Sequence, residues 1–156
     1  MKRTHVLAAC LLALAPGAGA IAVAQAAPGG PATSASRAAT VQLRSTHLGK
    51  ILTTSSGLTL YEFTRDSHGR SACATISGCP REWPALQSAG TPTAGPGVKA
   101  SLLSTITLRS GGKQVTYAGH PLYTYAEDGP GATDYVGVSA FGGHWYALNA
   151  AGGAVR

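Results

Sequence analysis

Tyr61, Phe63 and Asp66 stand in the stretch YEFTRD, and Tyr123, Tyr125 and Asp128 repeat the spacing in YTYAED, 62 residues later. A carboxylate close to a tyrosine can ligate a metal, work as a general acid or base, or accept hydrogen bonds from loop amides where a strand ends. Acid–base work needs a second titratable group at a defined distance. None recurs in both copies: His68 is matched by Pro130, while His120 and His144 are matched by Leu58 and Glu82. The histidines do not follow the repeat, so His68, His120 and His144 stand as candidate ligands only for a metal- or haem-binding protein. The expectation for both aspartates is the amide-accepting role, with no catalytic residue, no metal and no cofactor.

The aromatic residues of each motif are two apart, so in a strand they share a face, and Leu60 and Leu122 point the other way. Such a strand is either buried on both faces, its tyrosine hydroxyls partnered at the edge, or offers an aromatic platform to a flat ligand or sugar. Burial is the expectation. Trp83 and Trp145 also recur, each followed by Leu three residues on, and read as core anchors. Pro84 places its strand at a sheet edge or a bulge. No phosphate loop, dinucleotide fingerprint, nucleophile elbow or HExxH motif is written in the chain.

These residues belong to a longer internal repeat. Residues 49–86 laid over 111–148 without a gap agree at 11 of 38 positions, including Gly57/Gly119, Leu60/Leu122 and Leu86/Leu148. Two copies are too few for an array. They predict one compact all-β domain of two homologous repeats with approximate two-fold internal symmetry. In each copy β-branched and aromatic residues flank a glycine turn, the signal of a hairpin. Strands are predicted at Lys50–Thr54, Thr59–Thr64 and Trp83–Leu86, and at Lys113–Tyr117, Pro121–Ala126 and Trp145–Leu148. Thr40–Arg44 and Ser104–Arg109 supply two more, and Ala100–Leu103 suits a single helical turn.

Ahead of the domain, Lys2 and Arg3 precede the apolar run Val6–Ala15, and "AQA" at Ala24–Ala26 has the small-x-small form of a cleavage site. Residues 1–26 read as a signal peptide, 27–39 as a flexible Pro/Gly/Ser/Ala tether, and 40–152 as the domain. "LAAC" at Leu7–Cys10 offers lipidation of Cys10 as the alternative, against which stands the short apolar run before the cysteine. Set apart Lys2 and Arg3, and ten basic residues face six acidic ones, scattered with no run or helical stripe. That pattern gives no footprint for nucleic acid.

The blocks LYEFTRD…C…CPREWPAL and KQVTYAGHPLYTYAED…GHWYAL resemble a bacterial secreted and lipoprotein repeat family named for its Tyr-x-aromatic-x-x-Asp motif, a secreted repeat of unknown function. The resemblance runs from about Gly49 to Leu148, and Ala85 stands where relatives commonly have a second proline. It implies an exported two-copy envelope domain and little chemistry. Cys73 and Cys79 fall, by the same shift, on Tyr135 and Phe141, so both are exchanged together for aromatics. In an oxidising compartment a disulfide is the natural inference; zinc and redox catalysis are the rivals, though the spacing is uncommon for zinc and no second ligand pair follows. The functional expectation is a non-catalytic exported module, binding or structural. Its partner would be an envelope component, a small molecule or a protein, and the mature chain a monomer without a transmembrane helix. A metal- or haem-binding envelope protein is the alternative, and an enzyme the third reading.

Overall fold

A computed structural model describes residues 37–67 and 69–156. The expected signal peptide, Cys10, His68 and all but the last three residues of the tether lie outside the described residues. Among the described residues no helix is long and apolar enough to cross a membrane.

The domain is built of short strands in three sheets. β1 (Thr40–Thr46) and β2 (Gly49–Thr54) form an antiparallel hairpin, and β3 (Tyr61–Phe63) follows. β4 (Thr93–Ala94) runs parallel to the start of β1. The second half has a like hairpin of β5 (Leu103–Thr107) and β6 (Lys113–Tyr117), with β7 (His120–Pro121) added antiparallel to β6. β8 (Ser139–Ala140), β9 (Gly143–Leu148) and β10 (Ala154–Val155) complete the fold, with β9 paired to β3, β8 and β10. The ordered sheet thus continues past residue 152.

Local sequence explains the hairpins. Gly57 and Gly119 close the turns before the two motifs with φ of 88° and 86°, a conformation that costs glycine little and other residues more. Three predicted strands are shorter than expected. β3 covers only three of the residues 59–64, Thr59 making a lone bridge to Thr53, because the chain turns back at once through the Asp66 N–H to Phe63 carbonyl bond of 2.9 Å. Residues 121–126 yield the end of β7 and a bridge at Tyr123, not a continuous strand. Within Trp83–Leu86 only Ala85 makes a bridge, to Tyr123: Trp83 caps the preceding turn and Pro84 has no N–H to give a ladder, though its carbonyl accepts from the Thr124 N–H at 3.0 Å. Ala100–Leu102 does form a single 3-10 turn. A four-residue helix at Cys79–Glu82 was not expected; Gly78 at φ 80° enters it and Pro80 sits in its first turn, where a missing N–H is harmless.

The final segment of each repeat pairs with the motif segment of the other. In β3 and β9 Tyr61 lies opposite Ala147 and Phe63 opposite Trp145. Tyr123 in turn bridges Ala85. Between the repeats, Tyr61 and Tyr123 exchange two backbone hydrogen bonds, of 2.9 and 3.0 Å. The exchange lapses between motif and final segment, where the first repeat has its helical turn and the second the β8–β9 hairpin.

The alternation read from the motif divides the interior. Leu60 and Leu122 enter an aliphatic core with Val41, Leu52, Val115, Tyr117 and Leu148. Tyr61, Phe63 and Tyr123 enter an aromatic core with Cys73, Cys79, Trp83 and Trp145. Full burial of side chains of this size contributes roughly 1.5–3 kcal/mol each, so the two cores carry most of the hydrophobic stabilisation.

Candidate functional site

The aromatic core is organised around the two tryptophans. Trp83 and Trp145 stack face to face, with ring centroids 3.9 Å apart and planes 7° from parallel. Each takes the tyrosine of its own motif edge-on, Tyr61 against Trp83 at 5.2 Å and Tyr123 against Trp145 at 5.1 Å. The second motif aromatic crosses to the other repeat, Phe63 stacking on Trp145 at 4.2 Å and Tyr125 tilting over Trp83 at 4.7 Å. Tyr61 and Tyr123 are fully buried, so their rings form core and not a platform for a ligand.

The aspartates are joined to the same arrangement. The Tyr61 hydroxyl donates to Asp128 Oδ2 at 2.7 Å, and the Tyr123 hydroxyl donates to Asp66 Oδ2 at 2.8 Å. Each carboxylate of one repeat therefore holds the tyrosine of the other. The rest of their surroundings differs. Asp66 Oδ1 accepts the Ala72 N–H at 2.7 Å, closing its loop, whereas Asp128 Oδ1 is buried without a partner. Burial pushes both tyrosine hydroxyls up, helped by the facing carboxylates. Burial also pushes the Asp66 carboxyl up to about 6, against the lowering effect of the Ala72 amide and the Tyr123 hydroxyl. Asp128 is raised for the same first reason, the Tyr61 hydroxyl opposing.

A raised carboxyl has a defined consequence for stability. The folded state holds the Asp66 proton more tightly than the unfolded chain, so its contribution favours folding at acid pH. That contribution declines as pH rises from about 4, the unfolded value, to about 6. The melting temperature is expected to fall across this window and then flatten. Melting curves of Asp66→Asn should lack that part of the slope; an identical slope in both proteins would refute the assignment.

His120 and His144 take no part in the tyrosine–aspartate pairs. His120 Nδ1 is 2.7 Å from Glu62 Oε2, and burial raises the Glu62 carboxyl while His120 and Arg156 lower it. His144 Nδ1 meets the Ser139 hydroxyl at 2.9 Å, and its ring stacks on Tyr146. Among the described residues no three His, Cys, Asp or Glu side chains group as a metal site would require. Cys73 and Cys79 form a disulfide. It closes a short loop, for which chain entropy allows roughly 2–2.5 kcal/mol. Tyr135 and Phe141, which replace the cysteines in the second repeat, pack against the aromatic core, Tyr135 lying 3.8 Å from Tyr125.

Beside the disulfide loop runs a groove of about 620 Å³, lined by Arg65, Ser67, Arg70, Ser71 and Thr75 on one side and Ile106–Arg109 on the other. Arg65, Arg70 and Arg109 converge here although they are scattered in the sequence. Only the repeat offset carried a hint of them: Arg65 is matched by Glu127, Arg70 by Ala132 and Arg109 by His47, so none of the three is repeated.

Residues 104–149, which hold β6, the second motif and Trp145, match the model of a family described as a secreted repeat of unknown function. No curated protein and no solved structure matches the chain. Through its second repeat the chain is similar to that secreted family, as the motif residues implied.

Proposed function

We propose that the chain is an exported, non-catalytic module whose doubled motif is scaffold and whose function lies in features written once. The observation that carries this reading is the reciprocal pair of tyrosine–aspartate bonds. Those carboxylates and hydroxyls are directed at each other across the two repeats and help to fix the core. A nucleophile, base and orienting group converging on one cavity would support an enzyme; the groove beside the disulfide presents arginines and hydroxyls instead. The secreted description of the matching family supports an extracytoplasmic site of action.

The test is purification from the exported fraction, followed by mass spectrometry of the native protein for bound ligand, metal and N-terminal lipid. The expected species begins at Ala27 and holds any co-purifying ligand without covalent change. A co-purifying compound that is converted to product on incubation with the purified protein would overturn the non-catalytic reading. A blocked, diacylated Cys10 would overturn the start at Ala27.

A further inference from the structure

We propose that Arg65, Arg70 and Arg109 form a binding site for a phosphate-bearing ligand in the groove between the disulfide loop and the end of β5. Among the described residues that line the groove none is acidic. Among the described residues, too, none of the three arginines is paired with a carboxylate. Basic side chains that line one groove raise the local concentration of anions there. Arginine suits this task because its planar fork gives two parallel N–H bonds to the oxygens of one phosphate.

The wall is preformed. Arg65 borders the groove with its Nη1 tied to the Phe141 carbonyl at 2.8 Å, so Arg70 and Arg109 carry the ligand contacts. Asp66 holds the Ala72 amide at 2.7 Å, and the Ser71 hydroxyl meets the Tyr123 hydroxyl at 2.7 Å. The buried motif thus fixes the loop that carries Arg70. Preorganisation of this kind lowers the entropy lost on binding. A groove of about 620 Å³ falls in the usual range for small-molecule sites.

The repeat offset supplies a control built into the molecule. Arg44 corresponds to Ile106 by the repeat offset. Its guanidinium lies so close over Gly57 and Gly131 that a β-carbon there would come within 2.9 and 3.1 Å of Nη1. That arginine packs on a glycine from each repeat, and neither glycine lines the groove.

The phosphate could be free or part of a phosphodiester polymer of the envelope, and only that choice of source rests on the exported-module reading. The purified secreted protein would be titrated calorimetrically with inorganic phosphate, glycerol 1-phosphate and a synthetic glycerol phosphate oligomer, at low and at physiological salt. Saturable binding that weakens with salt is expected, and it should fall about tenfold in Arg70→Gln and in Arg109→Gln, with melting temperatures unchanged. Arg44→Gln removes the same charge and should leave the affinity within about twofold. Similar affinity per phosphate for all three probes identifies a free phosphate; a much tighter oligomer identifies the polymer. Absence of saturable binding to any probe, or an equal loss in Arg44→Gln and Arg70→Gln, would overturn the site. A bound probe recovered hydrolysed, as seen by phosphorus NMR, would refute the non-catalytic reading and leave the site standing.

Discussion

Replacing Trp83 or Trp145 by alanine is expected to lower the unfolding free energy by about 3–5 kcal/mol, the range for truncating a buried indole. Both rings are buried to within 1 % of full enclosure. Each also loses its partner in the stack, its edge-on tyrosine and the aromatic that crosses from the other repeat; such aromatic pairs add roughly 0.5–1.5 kcal/mol apiece beyond burial. Set against the 5–15 kcal/mol typical of a domain, either change removes a large share of stability. Phenylalanine should cost less than alanine. It keeps a ring in the stack and removes an indole N–H that is buried without a hydrogen-bond partner in both tryptophans. The double alanine variant should lose less than the two single losses added together, because they share the stacked contact. Urea unfolding of the parent and these five variants measures all of this, and a single-alanine loss below about 1 kcal/mol would mean that the stack is not a core anchor.

Asp66→Ala should destabilise the fold more than Asp128→Ala, by about twofold. Asp66 accepts two bonds, from the Ala72 amide and the Tyr123 hydroxyl. Removing it leaves two donors in need of partners, for a loss of roughly 2–4 kcal/mol. Asp128 accepts only the Tyr61 hydroxyl, and a loss of roughly 1–2 kcal/mol follows. The asparagine variants separate the sites further. In Asp66→Asn the side-chain oxygen can still take the Ala72 amide, while the Tyr123 hydroxyl can turn to the Ser71 oxygen, already 2.7 Å away. The loss should be smaller than for alanine. In Asp128→Asn a buried charge with one unpartnered oxygen is replaced by a neutral amide, and stability should stay level or rise. Thermal melts of the four variants test the scheme, and equal losses at the two aspartates would contradict the difference in their surroundings.

That equality is what the repeat alone would predict, and it shows where sequence reading stops. The motif marked two equivalent carboxylates, and their tyrosine partners were in the same motif, but nothing in a linear sequence says that each pairs with the other copy. A shift of 62 residues maps a residue on its equivalent and is silent about contacts between equivalents. The hairpins were legible because β-branched residues flank a glycine turn within a few positions. The cysteine pair was legible because its substitution by Tyr135 and Phe141 is correlated. The lengths of β3 and of the Trp83–Leu86 segment were not, because a strand ends where its neighbour stops offering hydrogen bonds, a tertiary matter. The turn at Cys79–Glu82 is too short to show helical periodicity. The arginine groove escaped for another reason: Arg70 and Arg109 line one groove only in the folded chain, so their charges looked scattered.

The exchange of final strands bears on how the chain is made. A polypeptide appears from its N-terminus, and Tyr61 must wait for Ala147, almost the last residue of the second repeat, before β3 has its neighbour. Until then Trp83 has no indole to stack on, and the first repeat exposes aromatic surface that invites association with other chains. Contacts so distant in sequence also slow folding. One element escapes the delay: Cys73 and Cys79 are six residues apart, so their bond can close as soon as both have emerged in an oxidising compartment. The nascent chain then carries its groove-side loop already tied, while the core behind that loop assembles only when synthesis is nearly complete.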